Sequence, residues 1–198
     1  MADTGAPWNI PFAEPTDLVR DWPALSEDVA DAVAAGLDAA GGLVAVKSAI
    51  FTGTQTASVT AGNNVAVTDL TITHEVADAA NKLIITAIFG SSANSLTTTH
   101  VGIAVHDGTG LIGVGDADGS RVRVGGGGSV SPTGSGTVVG QFVSFVHTPG
   151  AGSKTYTVRV LNIDTSTRTL FVNRGSVDSN SAQHSRAVSS LVIQEVKV

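Results

Sequence analysis

Gly108-Thr109-Gly110-Leu111-Ile112-Gly113 has the form G-x-G-x-x-G, the turn that binds a dinucleotide when it opens a helix whose N-terminus holds the pyrophosphate. Val114, Gly115 and an Asp-Gly turn follow, so the sequence predicts a turn and no helix. Asp116, Asp118 and Ser120 imitate the opening ligands of a calcium loop, but Gly127 stands at the twelfth position, where a bidentate acid belongs. The histidines are His74, His100, His106, His147 and His184, and none forms H-E-x-x-H. His100 and His106 fall near opposite ends of one strand, about 20 Å apart by strand rise, so they cannot share a metal unless their neighbours fold back. All five read as surface or strand-end residues. There is no G-x-S-x-G elbow. Glu75 and Glu195, the only glutamates after residue 42, sit at strand ends and make no acid/base couple. The residues therefore predict no enzyme, no cofactor and no metal.

Carbohydrate recognition favours aromatic platforms, yet both tryptophans precede residue 42, and the single tyrosine, Tyr156, falls on a core face. A shallow polar loop is the remaining route to a glycan. Gly125-Gly126-Gly127-Gly128-Ser129, continued by Ser131-Pro132-Thr133-Gly134-Ser135-Gly136, reads as a long flexible loop, either a recognition loop or a merely tolerated one.

The 198 residues suit one medium domain with a short appendage, enough to bury a core without staples. With no Cys, disulfides, thiolate zinc sites and thiol nucleophiles are excluded. The net charge of −6 and 11 scattered basic residues argue against nucleic acid. No apolar run approaches the roughly 20 residues of a membrane helix. Met1 is followed by Ala, Asp, Thr and Gly, which does not read as a secretory signal.

The sequence divides at Gly41-Gly42. Residues 1–16 form an extended, proline-rich arm, because Pro7, Pro11 and Pro15 fix φ and remove donors. Its Trp8, Ile10 and Phe12 are expected to dock into a partner's groove, a disordered tail being the alternative. A helix is expected within 17–41, with Pro23 in a first turn. Leu18, Trp22, Leu25, Val29, Val33 and Leu37 recur at spacings of four and three, a heptad-like seam for self-association or for packing on the chain's own β domain.

From 43 to 198 the pattern is β, with strands expected at 43–52, 54–60, 64–74, 82–89, 100–106, 111–114, 121–124, 137–147, 154–163, 167–173 and 187–198. The expected fold is mainly β: an antiparallel sandwich of jelly-roll type, preceded by the arm and one helix. An apolar phase shift from Val65 and Val67 to Leu70 and Ile72 predicts a bulge near Thr68-Asp69. Three strands are apolar on both faces: Leu83, Ile85 and Phe89 alternate with Ile84 and Ile88; Val139, Val143 and Phe145 with Val138, Phe142 and Val146; Leu191 and Ile193 with Val192, Val196 and Val198. Either covering loops or another copy must bury the second face.

Thr4-Gly5-Ala6-Pro7-Trp8-Asn9-Ile10-Pro11, Glu14-Pro15-Thr16-Asp17-Leu18-Val19-Arg20-Asp21 and the helix sequence Val29 to Gly41 resemble the start of tailed-bacteriophage virion proteins, including minor tail and fibre-like proteins of phages infecting actinobacteria. Ser189-Ser190-Leu191-Val192-Ile193-Gln194-Glu195-Val196 is similar to the last strand of phage tail β-sandwiches. The resemblance implies a virion structural protein assembled in the host cytoplasm. Its arm would attach to tail or capsid proteins and its sandwich project outward, in a homotrimer that buries the seam and the two-sided strands. A capsid decoration protein and a module binding host surface glycan are the alternatives.

Overall fold

The computed structural model describes residues 2–3, 11–12, 22–39, 42–93, 99–130, 138–182 and 184–198. The chain forms two compact units, residues 1–44 with 196–198 and residues 45–195. In the first, β1 (Ala2–Asp3) pairs antiparallel with β2 (Pro11–Phe12), Ala2 opposite Phe12. The helix α1 (Trp22–Ala39) lies beside β2, with Pro23 in its first turn, where a missing amide hydrogen costs nothing. Glu27, Asp28, Ala30, Asp31 and Ala35 are exposed, whereas Val29, Ala32 and Val33 are half-buried and Gly36 is buried.

The second unit is a β-sandwich. Its strands are β3 (Leu43–Phe51), β4 (Gln55–Val59), β5 (Asn64–Val76), β6 (Lys82–Ala93), β7 (Thr99–His106), β8 (Leu111–Ile112), β9 (Gly126–Val130), β10 (Val139–His147), β11 (Gly152–Asn162), β12 (Arg168–Val172) and β13 (Ser189–Val196). One sheet runs β3-β13-β6-β12-β4, with β10 also on β6; the other runs β5-β11-β7-β8, with β9 also on β7. Strand β10 accompanies β6 from Val139 opposite Ser91 to His147 opposite Leu83.

Period-two alternation builds the core. Leu83, Ile85, Ala87 and Phe89 of β6 meet Val101, Ile103 and Val105 of β7 and Tyr156, Val158 and Val160 of β11, all buried. Each large side chain so buried contributes about 1.5–3 kcal/mol. The bulge expected near Thr68-Asp69 is there: pairing of β5 with β11 jumps from Thr71 opposite Thr157 to Ala66 opposite Arg159, and Asp69 has φ +61°. Gln55 fills it, donating from Nε2 to the Ala66 carbonyl (2.9 Å) and accepting from the Thr68 amide (2.7 Å). Asn173 ties the sheet ends, donating to the carbonyls of Phe51 (2.7 Å) and Gly53 (3.0 Å) and accepting from Ser189 Oγ (2.6 Å).

Two expectations are corrected. Residues 121–124 are irregular, and the glycine-rich run read as a loop instead begins with β9, paired with β7 from Val130 opposite Thr99 to Gly126 opposite Ile103. A Cβ on Gly126 would lie 2.2 Å from the Phe142 carbonyl oxygen, and one on Gly125 2.7 Å from Val143 Cγ2. Glycine here lets one strand lie directly on the backbone of another, which no propensity scale rewards. Residues 131–137 lie outside the described residues.

Candidate functional site

The three strands that read as apolar on both faces are neighbours: β10, β6 and β13 lie side by side in one sheet, flanked by β3. Their inward side chains enter the core. On the outside, Phe142 stands opposite Ile88, Ser144 opposite Thr86 and Val146 opposite Ile84. Thr86 Oγ1 and Ser144 Oγ share a 2.9 Å hydrogen bond. Phe142 is 59% exposed, Val146 62% and Ile88 50%. The face continues through half-buried Val192 of β13 to exposed Val46 and Ile50 of β3. No charged residue occupies the outward positions 84–88, 140–146, 190–194 or 46–50.

The outer face of the other sheet is built differently. Thr71 and Thr73 of β5 pair their hydroxyls with Thr157 and Thr155 of β11, each at 3.0 Å, with exposed Glu75 and half-buried Arg159 beside them. One sheet offers water hydroxyls and charge; its counterpart offers hydrocarbon around the Thr86–Ser144 pair.

The chemistry-like motifs resolve into structural roles. In the G-x-G-x-x-G stretch, Asp107 Oδ1 accepts from the Thr109 amide (2.9 Å), Thr109 Oγ1 (2.7 Å) and the Gly110 amide (3.0 Å), so those amides face a carboxylate of the chain itself. Desolvation opposes ionisation of Asp107, but these bonds prevail and lower its pKa to about 2. Gly113 turns the chain at φ +62°, and no helix follows. Asp118 pairs with Arg121 in an exposed loop. Among the described residues no three His, Cys, Asp or Glu converge as a metal site, and no helix is long and apolar enough to cross a membrane.

His74 departs from the surface-histidine expectation. It is buried, and its Nε2 lies 2.7 Å from Glu195 Oε2, a partner 121 residues away. Glu195 Oε1 accepts from Asn81 Nδ2 (2.6 Å) and the Ala77 amide (2.9 Å). Burial pushes the Glu195 carboxyl up, but bonds from Asn81, His74 and Ala77 outweigh it and hold the pKa below the ordinary value. The cluster joins the β5–β6 turn to β13.

An open polar pocket of about 370 Å³ is lined by Asp178, Ser179, Asn180, Ser181, His184 and Arg186. Ser179 Oγ lies 2.6 Å from His184 Nδ1. Asp178 is engaged by Arg174 Nη1 (3.0 Å) and by Arg186 Nε (3.0 Å) and Nη2 (2.7 Å), so its carboxylate serves ion pairs and does not orient the imidazole as a triad acid would.

Of the expected anchoring residues, Trp8 and Ile10 lie outside the described residues, and Phe12 is placed in β2 by its backbone alone. Of the expected seam, Leu18 lies outside them; Trp22, Leu25, Val29, Val33 and Leu37 are on α1, with Val29 and Val33 on its less exposed side. Fold and surface together define a β-sandwich with one hydrocarbon-faced sheet, accompanied by a small helical unit. The sequence matches no protein-family model and no curated protein sequence.

Proposed function

We propose that the protein is a phage virion structural protein, a minor tail or fibre-like appendage. It attaches through Trp8, Ile10 and Phe12 of its arm to tail or capsid proteins, and it projects the sandwich as a homotrimer. The observation that carries this reading is the proline- and tryptophan-bearing N-terminal block, which resembles phage virion proteins and sits in a unit separate from a sandwich with its own core. The half-buried side of α1 and the apolar sheet face supply surfaces for self-association. The polar pocket at 178–186 favours a second reading, a receptor module for host surface glycan. A capsid decoration role needs no such pocket.

Labelling the protein on intact particles and imaging the label tests the proposal. Label at the tail or its tip is the expected result, and label over the shell replaces it with the decoration role. Absence of label from particles, or full occupancy by a chain lacking residues 1–15, overturns the anchoring reading.

A further inference from the structure

We infer that the outer face of the β10-β6-β13-β3 sheet is the surface on which a second copy of this chain sits. This rests on the self-association part of the proposed function and names the surface that performs it.

The argument starts from the contrast between the two sheets. Both contribute inward side chains to one core, so both solve the folding problem equally well. Only one sets glutamate and arginine beside its hydroxyl pairs, as suits an outer face in water; the Thr86–Ser144 pair of the other stands between apolar pairs. On the other, Phe142, Val146, Ile88, Val46 and Ile50 are each at least half exposed. Taking about 150–250 Å² for the phenylalanine and less for the four aliphatic side chains, these five present apolar surface on the order of 450 Å². That matches the largest apolar patch of an ordinary monomer, roughly 300–600 Å². With the small polar residues among them, Thr86, Ser144 and Gln194, the face supplies most of the roughly 800 Å² that one partner contributes to a standard interface.

Charge selects a second copy as the occupant. The chain carries a net charge of −6, so two copies repel through most of their surfaces. From Ile84 to Ile88 and across the neighbouring strands the outward positions of this face carry no charge, with Lys82 standing at its end, so this area can close on its own kind without desolvating an ion. On this face the apolar pairs Phe142–Ile88 and Val146–Ile84 flank the hydrogen-bonded Ser144–Thr86 pair, so its polar groups are already satisfied within one copy.

The test uses the full chain. Analytical ultracentrifugation at micromolar concentrations should find the native protein above its 19.9 kDa protomer mass, and Phe142→Glu should return it to that mass with its far-UV circular dichroism unchanged. Because the chain lacks cysteine, Ser144→Cys and Thr71→Cys are single-site reporters for the two outer faces. A flexible bismaleimide should join copies through position 144 and leave position 71 unjoined. Retention of the native mass by a folded Phe142→Glu, equal cross-linking from both positions, or a native protein that stays at protomer mass would each overturn the inference. An oligomer that survives Phe142→Glu and dissociates with Val29→Asp would move self-association to the helix. Virion attachment is read separately, by labelling particles with Phe142→Glu: label there together with monomeric mass upholds both conclusions, and no label from native protein defeats the virion reading alone.

Discussion

Removal of the Glu195 carboxylate should destabilise the sandwich in a pH-dependent way. Glu195 is 1% exposed and accepts three hydrogen bonds of 2.6–2.9 Å, from Asn81, His74 and the Ala77 amide. Glu195→Ala strands all three donors away from water, and breaking such a buried arrangement from one side costs about 3–5 kcal/mol. For a domain of this size that lowers Tm by roughly 10 °C. Glu195→Gln keeps the shape and one acceptor oxygen but turns charge-assisted bonds into neutral ones, a loss of about 2 kcal/mol. Because the folded carboxyl titrates below its unfolded value, the native contribution is complete above the unfolded pKa of about 4.3 and disappears as pH falls through the lower folded value. The deficit of Glu195→Gln against the native protein should therefore be full at pH 7 and shrink below about pH 4. Urea unfolding followed by circular dichroism, at one protein concentration throughout, measures both. A cost below about 1 kcal/mol for Glu195→Ala at neutral pH, or a Glu195→Gln deficit equal at pH 7 and pH 3, would refute the reasoning.

Two further outcomes follow from the geometry. Gly126→Ala should cost at least about 2–3 kcal/mol, since its Cβ meets the Phe142 backbone oxygen, whereas Gly110→Ala, with open space around it, should stay within about 0.5 kcal/mol; parallel thermal melts give the difference. Tyr156 is the chain's only tyrosine, and burial, followed by the charge of Asp107, pushes its phenol up to about 12. Tyrosinate absorbance in the folded protein should rise only near that pH, with stability declining between about pH 10 and 12; a rise near pH 10 before unfolding would contradict the burial argument.

Strands and their alternation were legible because β-branched runs end at turn chemistry, and the Thr68-Asp69 bulge because the apolar phase changes there. Strand β9 was not legible: a glycine run is penalised as a strand unless one knows that the Phe142 backbone passes against it. The His74–Glu195 pair escaped because neither residue carries a local sign of a partner 121 positions away. The apolar surface was half legible. Each two-sided strand announced itself, but that β10, β6 and β13 adjoin in one sheet is a matter of strand order, which no window of sequence contains.

Strand β13 lies between β3 and β6, inside its sheet, although it is the last of them to be synthesised. During translation β3 has no neighbour on its inner side until synthesis has passed residue 196, well after the core residues of β6 have left the ribosome. Closure of this sheet therefore waits for residues 189–196 and rests on contacts distant in sequence, which are slow to form. Until then β3 and the stretch of β6 that β13 covers stand as open strand edges, the kind of edge that pairs with other chains.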